Sequence, residues 1–238
     1  MHTERIYIGA AMEFNVHIVE THMRKMDLTM VYTNDPVMVE DSINTMERFL
    51  GEDDKYKVVG FDRTYTGGRA GHDQNVVVAQ LCMHHHVLLY HYCLDRVPCE
   101  CFTRFVNNPD YRFAAVNTMN DRKVLKTSGL DCQKLVGIRD HYNIWGGKKD
   151  MDSHVDLAEA IINPYYGGVK AECDKNKHVY HSAWVKILDE HHLQTAAKEA
   201  YTCYEMFTQI VDMRGYLLPE YVEGSSHKQR GGGKRHWN

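Results

Sequence analysis

Hydrophobic and polar residues alternate near the start of the chain in a pattern that predicts β-strands. Residues 14–18 carry an apolar side chain at every second position, and residues 28–32 repeat the alternation after a polar stretch. A period of two places one side of each strand against a core. We therefore predict two strands that form an entry hairpin.

A helix is predicted next, because the apolar spacing changes. Asn34, Asp35 and Pro36 are typical of a helix start, with a capping residue followed by proline in the first turn. The apolar positions of residues 37–50 then follow mostly helical spacing, and Gly51 ends the run.

The segment Lys57–Thr66 predicts a buried strand that ends in a carboxylate and turn residues. Asp62 lies near the end of this strand, and the period of two places Thr64 on the same face. Sites that hold two divalent metals often begin with two acids at such positions. Here only the first of the two is acidic.

Two further strands, Asn75–Cys82 and His86–Tyr92, are separated by too few residues for a crossover helix. Together with the strand that carries Asp62, they predict an antiparallel meander.

The remaining pattern predicts alternating elements and then helices. The order βββαβαβ followed by helices indicates an α/β fold, with a mixed sheet and helices on both faces. The predicted strands are Arg112–Val116 and Leu135–Ile138, and the predicted helices are Glu100–Asn107, Asn120–Ser128, Ser153–Ile162, Tyr180–Leu188 and Thr195–Met213.

Two more carboxylates stand at positions that suit a site. Asp121 lies in the first turn of the helix after the strand Arg112–Val116, where the helix dipole also favours a carboxylate. Glu199 lies on the edge of the apolar stripe of the last helix, where it needs a metal, a basic side chain or solvent. Thr195 is one turn earlier, and its residue type equally suits a helix N-cap.

Composition limits the function classes. With 238 residues, 43% of them hydrophobic, the chain can bury one sizeable core. The net charge of -4 provides no general basic field, so nucleic-acid binding would depend on local patches. An odd count of seven cysteines, without a signal-peptide pattern or a membrane-length apolar run, predicts a nuclear or cytoplasmic protein with free thiols.

With these elements in place, the chain resembles the DEDD 3′-5′ exonuclease superfamily, of RNase H-like fold. The Tyr-containing branch near the Werner-type exonuclease domain is the most similar, over about residues 14–213. Three segments carry the resemblance, namely residues 58–62, residues 113–130 and residues 196–201.

The resemblance implies a site of four carboxylates that hold two divalent cations, Mg²⁺ or Mn²⁺. Asp62 matches the first acid and Asp121 the acid of the second motif. The other positions depart from the family, with Thr64 in the place of a Glu, Glu199 in the place of an Asp, and Thr195 in the place of the Tyr that orients water. The implied catalytic and metal-binding set is therefore reduced to Asp62, Asp121 and Glu199.

Such a depleted site predicts weak or absent phosphodiester hydrolysis, because a neutral ligand and a displaced carboxylate suit Mg²⁺ poorly. The resulting hypothesis is a module that binds single-stranded RNA or DNA in the substrate cleft. One alternative is an active exonuclease with an altered ligand set. Another is a structural subunit that binds a protein partner or forms a homo-oligomer.

Basic residues supply the candidate nucleic-acid contacts, namely Arg63 and Arg69 near the cleft and Lys228, Arg230, Lys234 and Arg235 in the tail. The tail could equally be solubilising. The Arg63 side chain has a second possible position. If it turned toward Thr64, where the family has a Glu, its guanidinium would take the place of a metal ion there. The predicted organisation is an extension at 1–13, the exonuclease-like domain at 14–215, and a basic Gly-rich tail at 216–238.

Histidine and cysteine offer further candidates. His191 and His192 fall in the loop predicted before the last helix, from which an imidazole could reach the site, although solvated loop histidines are more common. Cys99 and Cys101 have no second pair that would complete a zinc site.

Overall fold

The computed structural model describes residues 12–19, 25–50, 57–65, 76–92, 99–116, 118–144, 153–164, 166 and 187–214. The strands are β1 Met12–Val19, β2 Lys25–Thr33, β3 Lys57–Tyr65, β4 Val76–Met83, β5 His86–Tyr90, β6 Tyr111–Ala115 and β7 Leu135–Gly137. The helices are α1 Pro36–Arg48, α2 Glu100–Val106, α3 Met119–Thr127, α4 Ile138–Ile144, α5 His154–Ile161 and α6 Glu190–Arg214.

The seven strands form one mixed sheet in the order β1-β2-β5-β4-β3-β6-β7. β3, β4 and β5 pair antiparallel, which confirms the predicted meander, and β6 and β7 continue the sheet parallel to β3. The β1-β2 hairpin joins the other side, where β2 runs parallel to β5. The predicted α/β class and the predicted order βββαβαβ from β3 to β7 are confirmed.

Helices cover both faces of this sheet. Buried side chains of α1, α2 and α3 form one hydrophobic cluster with one face. On the other face, α6 packs over the central strands and α5 packs beside it. All eight residues of β4 are buried, as expected of a strand that lies between two helical layers.

Local sequence explains several element boundaries. Asp35 caps α1, because its side chain accepts the backbone N–H of Val37 at 2.9 Å, and Pro36 follows in the first turn. After α3, Gly129 adopts a φ of 77°, the left-handed conformation in which a helix commonly ends.

Two predicted boundaries were wrong. The strand predicted over Leu135–Ile138 ends at Gly137, and Ile138 begins α4, a helix absent from the prediction. The last helix begins at Glu190 and not at Thr195. Asp189 is its cap, because the Asp189 carboxylate accepts the backbone N–H of His192 at 3.0 Å.

Several predictions concern residues outside the described part of the chain. Most of the predicted helix Tyr180–Leu188 lies there, and its last two residues are not helical in the structure. The extension at 1–13, apart from the first residues of β1, and the tail at 216–238 also lie there, so the domain boundaries stay predictions. Within the described residues, no helix has both the length and the apolar character needed to cross a membrane.

Gly60 is the position where β3 and α6 approach most closely. A Cβ atom on Gly60 would lie 2.5 Å from the backbone N of Tyr204 and closer still to the carbonyl O of Ala200. Because both atoms belong to the backbone of α6, a side chain here could be accommodated only by moving the helix. This contact therefore fixes how α6 lies over the central strand.

We expect Gly60→Ala to lower the free energy of unfolding by about 3 kcal/mol, at the upper end of the cost of overpacking, because α6 must move away from β3. Gly129→Ala is the matched control. It has open space around the new methyl group and should cost only about 1 kcal/mol, through its positive φ. Urea unfolding of both variants checks this, and equal losses would contradict the close contact.

Several of the 16 histidines of the chain are buried. His86 is 6% exposed, and its Nε2 lies 2.8 Å from the Ser42 hydroxyl oxygen. Burial, together with the neighbouring His85, lowers the pKa of His86 from 6.5 to about 4. His86 is therefore neutral in the folded protein at pH values where the unfolded chain already binds a proton.

This difference predicts a loss of stability in mild acid. Above pH 6.5 the His86 contribution is fully present, and it is lost as the pH falls from 6.5 through about 4. Over that window we expect the wild type to lose on the order of 2 kcal/mol more than His86→Gln, measured by urea unfolding at several pH values. His191→Gln, at an exposed histidine, should retain the wild-type slope.

Candidate functional site at the end of the central strand

Asp62 lies near the end of β3 on the face that α6 covers. It follows Gly60 at a spacing of two, so both residues point toward the helix. Its carboxylate accepts the backbone N–H of Arg63 at 2.8 Å. Across the sheet, Asp62 is paired in register with Gln80 of β4.

Glu199 of α6 is the second carboxylate of this region. Burial, followed by the charge of Asp62, raises the pKa of Glu199 to about 8. Its carboxyl group is therefore mostly protonated at neutral pH in the absence of a cation. The two carboxylates also act together on the next turn of α6, where burial, Asp62 and Glu199 raise the pKa of the Cys203 thiol.

Asp121 lies in a different electrostatic environment from Asp62 and Glu199, because an arginine neutralises its charge. The Arg63 guanidinium forms an ion pair with Asp121, and the two side chains are only 6% and 3% exposed. The guanidinium also lies 5.7 Å from the centre of the Phe61 ring. Arg63 thus leaves β3 on the face opposite Asp62 and reaches the helix that carries Asp121.

Burial lowers the pKa of Arg63, and the charges of Asp62 and Tyr65 oppose that change. An arginine guanidinium nevertheless stays charged in proteins. It lies inside the protein and not at the mouth of the cleft, where a phosphate contact was predicted. The other predicted contacts, Arg69 and the tail residues Lys228, Arg230, Lys234 and Arg235, lie outside the described residues.

Buried polar atoms without a hydrogen-bond partner are concentrated around the end of β3. They include the Thr64 hydroxyl, both polar atoms of the Gln80 amide, Arg63 Nε and Asp121 Oδ2. Buried polar groups normally form hydrogen bonds, so burying these atoms without a partner costs free energy of folding. Polar side chains are therefore concentrated at this end of the sheet, but their charges are arranged differently from the prediction.

Thr195 and the two neighbouring histidines lie within α6 and not before it. The Thr195 hydroxyl donates to the carbonyl of His191 at 2.9 Å, as a threonine inside a helix does, so it is not an N-cap. His192 Nδ1 lies 2.7 Å from the Asp189 carboxylate. Both histidines belong to the first turn of α6, so the loop predicted for them was wrong.

Two neighbours of Asp62 were not found from the sequence. His154 of α5 is half-buried and contacts the Thr202 hydroxyl, and desolvation lowers its pKa while the charge of Asp62 opposes this. Nothing in the local sequence marks His154. Gln80 did carry a signal, because it is the one polar residue in the strand Val76–Met83.

The predicted metal ligands do not form a metal centre. Asp62, Asp121 and Glu199 are all described, yet the described ranges contain no group of three or more His, Cys, Asp or Glu side chains that could hold a metal ion. The donor chemistry agrees with this, since Asp121 is paired with Arg63 and the neutral Thr64 stands where the family has a Glu. The residues present therefore do not fit the two-cation site that the resemblance implied.

No protein-family model matches the chain, and no curated protein sequence matches it. Comparison with solved structures does find similar proteins. The chain is similar to the Nibbler EXO domain of Aedes aegypti, with a TM-score of 0.53 and 10% identity over 77% of this chain and 89% of that one.

Two longer nucleases are also similar. Escherichia coli RNase D, an exoribonuclease involved in structured RNA processing, has a TM-score of 0.59 and 14% identity over 78% of this chain and 46% of its own. The catalytic core of RRP6 from Trypanosoma brucei has a TM-score of 0.56 and 9% identity over 85% of this chain and 61% of its own. The chain spans less than two thirds of both.

Identities this low establish the fold alone. The order of the strands, the placement of α6 and these three similarities agree with one another. The chain therefore has an RNase H-like fold, the fold of these three proteins.

Proposed function

We propose that this protein is an exonuclease-like domain that binds single-stranded nucleic acid in the cleft beside β3, with weak or absent phosphodiester hydrolysis. RNA is the first candidate ligand, because the similar E. coli protein is an exoribonuclease. The observation that carries the proposal is the buried ion pair between Arg63 and Asp121.

The ion pair supports loss of hydrolysis for a reason of charge and space. Two-metal hydrolysis of a phosphodiester requires carboxylates that hold both cations close together. A guanidinium that neutralises Asp121 supplies positive charge at this carboxylate, but it cannot bind or activate the attacking water as a dication does. Asp62 is then left without a second free acid on β3, because Thr64 is neutral.

Exposed lysines on α3 support the binding half of the proposal. Lys123 and Lys126 lie three residues apart on α3, the helix whose first turn carries Asp121, and both side chains are exposed. Exposed ammonium groups can contact phosphates without metal and without reading the base sequence.

The direct test incubates the protein with 5′-labelled and 3′-labelled single-stranded RNA and DNA in the presence of Mg²⁺, Mn²⁺ or EDTA. The variant Asp62→Asn is assayed in parallel as the control. We expect no ladder, and a gel shift of the oligonucleotide that persists in EDTA. A 5′-labelled ladder that shortens with metal and disappears in Asp62→Asn would show an active exonuclease. Absence of both the ladder and the shift would favour a structural subunit.

A charge-matched pair of variants locates the binding surface. Lys123→Glu with Lys126→Glu should weaken RNA binding by about tenfold or more and reduce the salt slope by about 1.4, the value for two phosphate contacts on a single strand. Arg48→Glu with Arg104→Glu changes the charge equally at exposed positions of α1 and α2. Equal effects of the two pairs would indicate general electrostatic attraction and not a site.

The role of Arg63 can be tested through stability. Mn²⁺ should not raise the unfolding temperature of the wild type, because the ion pair occupies the Asp121 carboxylate. Arg63→Met alone should cost about 3–5 kcal/mol, since Asp121 is left buried and unpaired. Arg63→Met with Thr64→Glu restores a second acid, and Mn²⁺ at ~100 times its Kd should then stabilise the variant by about 2.7 kcal/mol.

The wild type alone can contradict this interpretation, even if the double variant does not fold. Stabilisation of the wild type by Mn²⁺ that Asp62→Asn removes would show that the native carboxylates already bind the cation. Arg48→Met, which removes an exposed arginine, is the control for a general effect of lost charge.

A further inference from the structure

A pair of thiols lies at the start of α2, on the face of the sheet opposite α6. The Sγ atoms of Cys99 and Cys101 are 3.1 Å apart. Cys99 packs into the cluster that contains α1 and α2, which shares no buried residue with the clusters beneath α6. This pair therefore belongs to a different region from the candidate nucleic-acid site.

Backbone conformation explains why the two sulfurs meet. Two residues at spacing i, i+2 within a helix point to different sides, so their side chains do not touch. Cys99, however, is the residue before α2 and has an extended conformation, with φ of -77° and ψ of 98°. Its side chain is thereby directed back toward Cys101 in the first turn.

The two thiols differ in access to solvent. Cys99 is 2% exposed, whereas Cys101 is partly exposed and its thiol also lies 3.9 Å from the carbonyl O of Pro36. A small oxidant can therefore reach Cys101 first and Cys99 only through it. The other described cysteines, Cys82, Cys132 and Cys203, are all buried.

We propose that Cys99 and Cys101 form a reversible disulfide and are thus a site of redox modification, with a low-molecular-weight disulfide such as oxidised glutathione as the oxidant. The Cys101 thiolate attacks one sulfur of the oxidant and releases one glutathione thiolate. The Cys99 thiolate then attacks the Cys101 sulfur and releases the second. The protein loses two protons and two electrons, and the oxidant is reduced to two thiols.

Little movement is needed to close the bridge. The sulfurs must approach by about 1 Å to reach the bonding distance, and α2 already holds both residues at its first turn. A bridge across one intervening residue is strained, which makes it easily reduced and hence reversible.

The environment also determines how the pair reacts. Burial, the hydrogen bond with Cys99 and the charge of Glu40 raise the pKa of Cys101 to about 12. Since the thiolate is the reactive form, exchange is slow at neutral pH, and oxidation to sulfinic acid is also disfavoured. The equilibrium between the two forms, and not the rate, is the suitable measurement.

The experiment equilibrates the full reduced chain in glutathione buffers of increasing oxidised fraction and quenches exchange with acid. The chain is then unfolded in denaturant, so that N-ethylmaleimide blocks every free thiol including the buried Cys99, and is digested with trypsin. Cleavage after Arg96 and Arg104 releases residues 97–104, which contain Cys99 and Cys101 and no other cysteine. We expect this peptide to appear without label and lighter by two hydrogens, and to regain two labels after reduction with dithiothreitol.

A synthetic peptide of residues 97–104 is the matched control for the contribution of the fold. Because the folded chain holds the thiols together, its equilibrium constant for the disulfide should exceed that of the peptide by about tenfold or more. In Cys101→Ser the remaining thiol should stay labelled, and Cys132→Ser should behave as the wild type.

Three results would overturn the proposal. The first is full labelling of both cysteines of the folded chain at a ratio of oxidised to reduced glutathione that oxidises the free peptide. The second is a glutathione adduct without an internal bridge. The third is an equal equilibrium constant for chain and peptide, which would show that the fold contributes nothing.

Discussion

The contact between the backbone of β3 at Gly60 and the backbone of α6 is the constraint on which the rest of the structure depends. Without a side chain between them, Ala200 and Tyr204 lie directly over the central strand. The residues next to the contact on either element, Asp62 and Glu199, are then held close to each other. Burial follows from the same contact, and it shifts the pKa values of Glu199 and Cys203.

Several carboxylates at the end of such a sheet repel one another unless their charge is neutralised. A divalent cation can bridge them, or a basic side chain from the protein can neutralise one of them. This chain has the second arrangement at Asp121, where Arg63 is a permanent part of the fold. The difference matters for regulation, because a covalently attached cation cannot be removed by a chelator or exchanged for another ion.

The sequence was informative where a repeating pattern meets a simple geometric rule. The period of two in β2 to β6, the capping residue Asp35 and the short link between β4 and β5 predicted the sheet and its meander correctly. The positions of Asp62, Asp121 and Glu199 at the ends and edges of elements were also read correctly. These features depend on neighbours in the sequence, so one chain is enough to predict them.

Features that depend on distant neighbours could not be predicted. The direction of the Arg63 side chain is set by Asp121, which lies on a helix far along the chain, and sequence alone left both directions open. The start of α6 was misplaced because Thr195 and Asp189 are both acceptable caps, and only packing of the preceding turn distinguishes them. His154 approaches Asp62 through tertiary folding, and Ile138 follows Gly137 directly into a helix without any turn residue between them.

The late position of α6 in the chain has a consequence for synthesis. Tyr204 of this helix packs against all three hydrophobic clusters, although more than half of the chain separates it from β3. During translation the strands leave the ribosome long before α6. The apolar face of the sheet that α6 covers is therefore exposed until the helix has been synthesised. Long-range contacts of this kind form slowly, and exposed apolar strands aggregate in the meantime. That face of the sheet is therefore expected to stay exposed in the nascent chain until α6 docks.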